Sequence, residues 1–245
     1  LVVPSYIGAF AFVSAFGPRG ELADLLAPLG IESLPTIYGL PGTVLVLTLF
    51  TYPYVFLTTR ASLISFDGTV VEAARTLNAS RWDAFKRVTL PQILPGIAAG
   101  ALLVALYALS DFGTPAIMRY DVFTRMIFVE EQARNLDAAA VLSLLLLVMA
   151  MAILAVESRI GASRDGAYVS SGDRRAGEIK LGYWKLPAMG FCALIAALCL
   201  ALPIGILGLW LVRSTAAAPA GFVFELQHVT NSVTLAAGAA ALCVV

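Results

Sequence analysis

An all-α, polytopic membrane helix bundle is the fold class this sequence predicts, on three observations. Only 13% of its 245 residues are charged and 60% are hydrophobic, where a soluble domain carries about 25% charged residues. Six long runs hold no Asp, Glu, Lys or Arg: residues 1–18, 33–59, 88–110, 138–156, 186–212 and 226–245. A spanning helix needs roughly 20 mostly apolar residues, and one charge at its centre costs about 2.5–3.5 kcal/mol, so each run reads as a span or nearly one. Buried helices of soluble proteins, about 11–12 residues on average, seldom run so far without a charge. The third observation is where the basic residues fall. Segments 60–87 and 157–185 together carry 11 Lys/Arg, while 17–32, 111–137 and 213–225 carry 5. The positive-inside rule puts the first two in the cytoplasm.

The elements follow in order. Residues 1–16 end one span. Residues 17–34, with Pro18, Gly20, Pro28 and Gly30, form a broken outer segment. Span two runs over about 39–59 and contains Pro41 and Pro53, which membrane helices tolerate when neighbours satisfy the freed carbonyls. A long cytoplasmic loop covers 60–90. Span three, about 92–110, carries Gly96 and Gly100 at a small-xxx-small spacing that permits close helix packing. Residues 111–137 return to the outside, where 122–129 reads as a short helix or as the start of the next span. Span four is 138–156, and 157–185 is a Gly-, Ser-, Arg- and Asp-rich linker. Span five is 186–212, and a last span begins near Thr230. The chain starts and stops inside apolar runs, so it is expected to be a section of a longer protein. Its expected organisation is 1–156 as the later part of one permease half, 157–185 as a cytoplasmic linker, and 186–245 as the start of a second half, fused head to tail.

The loop between spans two and three carries the sharpest local pattern. Asp67 is a suitable N-cap, and Val70, Ala73, Ala74 and Leu77 recur at helical spacing on one face. Asn78 suits a left-handed residue that stops this helix. Ser80-Arg-Trp-Asp83 matches a capping box that opens a second helix, with Trp82, Phe85 and Val88 on one face and Pro91 closing it. From amphipathicity alone, such a pair could equally lie on lipid headgroups.

Few residues suit chemistry. His228 is the only histidine, and Cys192, Cys199 and Cys243 sit inside the expected spans. No catalytic residue and no metal site is expected. Net charge is zero, which gives no sign of a nucleic-acid partner. No Gly-x-x-x-x-Gly-Lys phosphate loop occurs, so any nucleotide chemistry belongs to another subunit. Tyr107, Ser110 and Asp111, at the outer end of span three, are the translocation-path candidates. An ionisable residue near a span is a functional candidate by default, and a carboxylate suits a hard cation such as Fe3+. The plainer reading of Asp111 is an interfacial residue that caps the segment after it.

Glu72-Ala73-Ala74, then Asn78, then Val88-Thr-Leu90-Pro91 resembles the Glu-Ala-Ala signature of ABC importer permeases. The family pattern is Glu-Ala-Ala, three residues, Gly, nine residues, Ile-x-Leu-Pro; the spacing here is intact, with Asn78 for Gly and Val88 for Ile. The resemblance implies a type I importer permease fold whose coupling helices sit in a cleft of a dimeric ATPase subunit. Glu72 would offer its carboxylate to that subunit, Ala73 and Ala74 would allow close approach, and Asn78 would set the turn. Leu90 and Pro91 would fix the exit into span three. It also implies an inner-membrane location, ATP and Mg bound only on the partner, and cargo delivered by an external binding protein. Residues 17–34 and 111–137 are the expected docking surfaces for that protein. Val3-Pro-Ser-Tyr-Ile-Gly-Ala-Phe10, Leu49-Phe-Thr-Tyr-Pro-Tyr54 and Ser110-Asp-Phe-Gly113 are similar to the fused, double-length ferric iron permeases. Thiamine permeases are fused in the same way, and polyamine, sulfate and phosphonate permeases are close relatives. The resemblance also implies a second Glu-Ala-Ala loop after Val245. Two other classes compete: an ion-gradient-driven transporter, which calls for buried mid-span charges, and a membrane enzyme, which calls for a polar cluster such as His/Asp or Cys/His.

Overall fold

The computed structural model describes residues 3–18, 20–22, 35–64, 76, 80–162, 182–216 and 226–244. Every regular element among them is helical. The α-helices are α1 (Ser5–Phe16), α2 (Leu40–Ile64), α3 (Arg81–Ala84), α4 (Leu90–Ser110), α5 (Gly113–Ile117), α6 (Phe123–Gln132), α7 (Leu136–Ala162), α8 (Lys185–Ala196), α9 (Leu202–Ala216) and α10 (Leu226–Val244). A π-helical segment, Phe85–Thr89, joins α3 to α4, and a second, Ala197–Ala201, joins α8 to α9. Among the described residues, four continuous helices are long and apolar enough to cross a membrane: Leu40–Ile64, Trp82–Ser110, Leu136–Val156 and Gly182–Arg213. The protein therefore has the expected all-α polytopic architecture. The two remaining expected spans are helical but do not meet that length and hydropathy. α1 has 12 residues, about 18 Å at 1.5 Å per residue, and α10 opens with Gln227, His228, Thr230, Asn231 and Ser232.

Two compact units divide the chain, Leu1–Ile206 and Leu207–Val245. In the second unit, Thr230, Ser232 and Thr234 of α10 donate to carbonyls one turn back in their own helix, so these hydroxyls are satisfied without a neighbour.

In the first unit, α2 and α4 pack closely and antiparallel. A Cβ on Gly100 would lie 2.5 Å from Val55 Cα, and one on Gly96 would lie 2.9 Å from Ser62 Cβ. The small-xxx-small spacing is thus where the two backbones approach. α1 runs antiparallel to α2: the Phe50 ring fills the space beside Gly8, and Ala9 and Phe12 pack with Val46 and Met118. Farther round α1, Ala11 and Ala15 pack with Leu202 and Ile206.

Prolines explain the irregular turns. Each π segment ends two residues before one, at Pro91 and at Pro203. A proline ring crowds the carbonyl four residues back and offers it no N–H. Here the turn opens to i→i−5 bonding: Leu90 N–H donates to the Phe85 carbonyl and Leu202 N–H to that of Ala197. The π turn relieves the clash without ending the helix. Pro91 therefore does not close the second cytoplasmic helix as the sequence suggests; the helix runs on to Ser110. Inside α2, Pro53 leaves the Leu49 carbonyl without its helical donor, and the Cys199 thiol donates to that oxygen at 3.1 Å.

Two boundaries also differ from expectation. α7 continues to Ala162, because Glu157, Ser158 and Arg159 are good enough helix formers to extend a helix beyond the apolar run. Residues 123–132 form a separate helix, not the first part of span four. It ends at Arg134 with φ 59°, where the Asn135 N–H reaches back to the Glu130 carbonyl at 2.9 Å.

Candidate functional site: a helical rod from the loop to a polar junction

Ser80 starts the rod. The Asp83 N–H donates to Ser80 Oγ at 3.1 Å, and Ser80 Oγ donates to Asp83 Oδ2 at 2.5 Å. One orphan amide of the first turn is thereby satisfied, as a capping serine should do. Trp82, Phe85, Lys86 and Arg87 are all exposed. The Trp82 and Phe85 rings stack with centroids 5.6 Å apart, and Lys86 Nζ sits 5.0 Å from the Trp82 ring centroid. The helix from Trp82 to Ser110 has 29 residues, about 43 Å. A rod of that length links the loop after α2 to the break at Asp111 and Phe112.

At the break, polar groups converge. Ser5 Oγ donates to Asp111 Oδ2 at 2.9 Å and lies 2.9 Å from the Tyr107 hydroxyl. Ser5 has one proton to give, so Tyr107 donates to Ser5 and Ser5 to Asp111. The other carboxylate oxygen, Oδ1, accepts from the Gly113 N–H at 3.0 Å and the Thr114 N–H at 3.4 Å. The Asp111 carbonyl accepts from Thr124 Oγ1 at 3.0 Å. Ser5 is 2% exposed, and Tyr107 and Asp111 are half-buried. One aspartate thus joins the end of α4, the starts of α5 and α6, and the first turn of α1.

Gly8 of α1 abuts Phe50, and the Tyr54 and Tyr107 rings lie 6.1 Å apart. Through Tyr107 and Ser5, the Asp111 junction packs beside the stretch of α2 that holds Phe50 and Tyr54. Beyond it the chain continues along α1, and the Gly39 N–H donates to the Met118 carbonyl at 2.8 Å. A sequence pattern could not give this packing, because it depends on which residues of α1 and α2 meet Gly113 and Tyr107.

Of the expected coupling residues, Glu72, Ala73, Ala74 and Asn78 lie outside the described residues. Val88 is half-buried in the π segment, and Leu90 and Pro91 open α4. Of the expected path residues, Tyr107 and Asp111 come together. Ser110 does not join them; it is exposed and donates to the Tyr107 carbonyl in its own helix. The sequence reading missed Ser5, whose only local signal is a hydroxyl after Pro4 in an uncharged run. No group of three or more His, Cys, Asp or Glu residues suited to a metal ion occurs among the described residues.

The described residues thus form a polytopic helical bundle with a polar junction where the long helix breaks after Ser110. The chain belongs to the binding-protein-dependent transport system inner membrane component family, whose model matches residues 1–161, and so to the ABC importer permeases. It is similar to the Fe(3+)-transport system permease protein FbpB 2 of Haemophilus influenzae, with 30% identity over 83% of this chain and 41% of that protein. It is also similar to the sulfate transport system permease protein CysW of Synechocystis sp., with 31% identity over 63% of this chain and 59% of the relative. The molybdenum transport system permease protein ModB of Mycobacterium tuberculosis is 32% identical over 65% of this chain and 61% of its own length. The chain thus spans about two fifths of the ferric relative and about three fifths of the other two.

Proposed function

We propose that this chain is the permease of an ATP-driven ferric iron importer and couples ATP hydrolysis on a partner ATPase dimer to passage of cargo through the bilayer. One observation carries the coupling role: a Glu72–Pro91 signature with family spacing leads directly into a capped, continuous helix that ends at the Asp111 junction. The basic loops 60–87 and 157–185 face the cytoplasm, where the ATPase binds ATP and Mg. The exposed Trp82–Phe85 stack supplies aromatic contact area for the ATPase at the start of the rod. Segments 17–34 and 111–137 face the external binding protein. Residues 1–156 and 186–245 belong to successive permease halves joined by 157–185.

Ferric cargo is favoured over sulfate or molybdate because similarity to the ferric relative extends over 83% of the chain, against 63% and 65% for the sulfate and molybdenum relatives. The test reconstitutes the full-length permease with its ATPase and adds binding proteins loaded with ferric iron, sulfate, molybdate, thiamine or polyamine. Ferric-loaded protein alone should stimulate ATP hydrolysis, and Glu72→Lys should abolish that stimulation. Stimulation by another loaded protein and not by the ferric one rejects the cargo. Unimpaired stimulation in Glu72→Lys rejects the coupling role of the loop.

A further inference from the structure

We propose that Asp111 is a positioning residue that clamps the far end of the coupling rod to α1, and that it is not a ligand for the cargo. The carboxylate is already engaged at both oxygens, by Ser5 on Oδ2 and by the Gly113 and Thr114 amides on Oδ1. A carboxylate offers about four acceptor sites, and three are taken by groups of the chain itself. A metal ion at Asp111 would have to displace the bonds that hold the break together.

The same bonds define a mechanical connection. The rod is continuous from the Ser80 cap to Ser110, so a push at the loop is delivered about 43 Å away. The regular helix stops there, and Asp111 decides what moves with it. Through Ser5 it engages α1, through Gly113 and Thr114 it engages α5, and through its carbonyl it engages Thr124 of α6. Space at this joint is tight: a Cβ on Gly113 would lie 2.6 Å from Tyr6 Cβ. With the clamp closed, α1, α4 and α5 shift together. With it broken, the rod can move while α1 stays behind, and ATP is spent without moving cargo.

This inference rests on the ATP-driven reading above, and the readout is cargo moved per ATP hydrolysed by the full-length permease reconstituted with its ATPase and loaded binding protein. Ser5→Ala should lower that ratio about fivefold, the weight of roughly one buried hydrogen bond, and Asp111→Ala, which also frees the Gly113 and Thr114 amides, by at least as much. The double variant should fall little further, because both substitutions open the same link. Asp111→Asn should keep most of the ratio: its amide oxygen still accepts from Gly113 and Thr114, and its NH2 donates to Ser5 Oγ. A cargo ligand gives the opposite pattern, with Ser5→Ala unaffected and Asp111→Asn as impaired as Asp111→Ala, and that result overturns the proposal. So does a parallel loss of hydrolysis and transport at constant ratio, which marks a purely structural defect. A wild-type complex that shows no ATP-driven uptake rejects the importer reading itself, and the clamp with it.

Discussion

The carbonyl of Leu49 shows how single residues set the packing of these helices. Pro53 has no N–H to return to it, and an unpaired carbonyl in a lipid-surrounded helix is costly. The Cys199 thiol supplies the missing donor at 3.1 Å, tying the helix after the linker to the middle of α2. Cys199→Ser keeps a donor there and should leave thermal stability in detergent nearly unchanged, whereas Cys199→Ala should cost about 0.5–1 kcal/mol. Equal losses in the two variants would show that the thiol acts by packing and not by donation. The presence of Pro53 in a span was legible in the sequence. The identity of its compensating donor was not, because the partner lies 150 residues away along the chain.

Among the elements, the rod from α3 through α4 departs most from a reading by local rules. Pro91 looked like a stop, since a proline ends most helices, yet the π turn at Phe85–Thr89 carries the helix through it. Pro91→Ala restores an amide for the Arg87 carbonyl and removes the ring clash, so the wide turn can close to an ordinary α turn. Losing the extra residue of a π turn rotates everything before it by about 100°, which swings Trp82 and Phe85 away from their present face. The expected outcome is a folded permease whose ATP-driven uptake falls several-fold, measured beside wild type in the same vesicles. Full uptake in Pro91→Ala would mean that the orientation of α3 is not transmitted. Four of the six expected span positions were legible because uncharged apolar runs of such length seldom occur outside a bilayer. The end of α4 at Ser110 and the capping of the next segment by Asp111 were legible too; the link from Asp111 to Ser5 was not, because it arises from contacts with α1. Glu72, Ala73 and Ala74 lie outside the described residues.

For the molecule as a whole, one long helix of the first unit gives the proposed coupling a route. The rod runs without interruption from the Ser80 cap to Ser110 and meets the Asp111 junction there, so on the proposed function a force applied at Ser80 has a defined place to arrive. The sequence resemblance identified the family correctly because the signature spacing is long and its chemistry specific. It says less about cargo, since relatives named for iron, sulfate and molybdenum all match at about 30% identity. On the proposed function, transport runs on ATP hydrolysed by a partner and delivered through the Glu72–Pro91 loop. The most direct measurement is cargo uptake into vesicles holding the full-length permease and its ATPase, with and without ATP at the ATPase face and with ion gradients collapsed by ionophores. Uptake that requires ATP and survives the ionophores is the predicted result; uptake that persists without ATP and vanishes when the gradients collapse would contradict it.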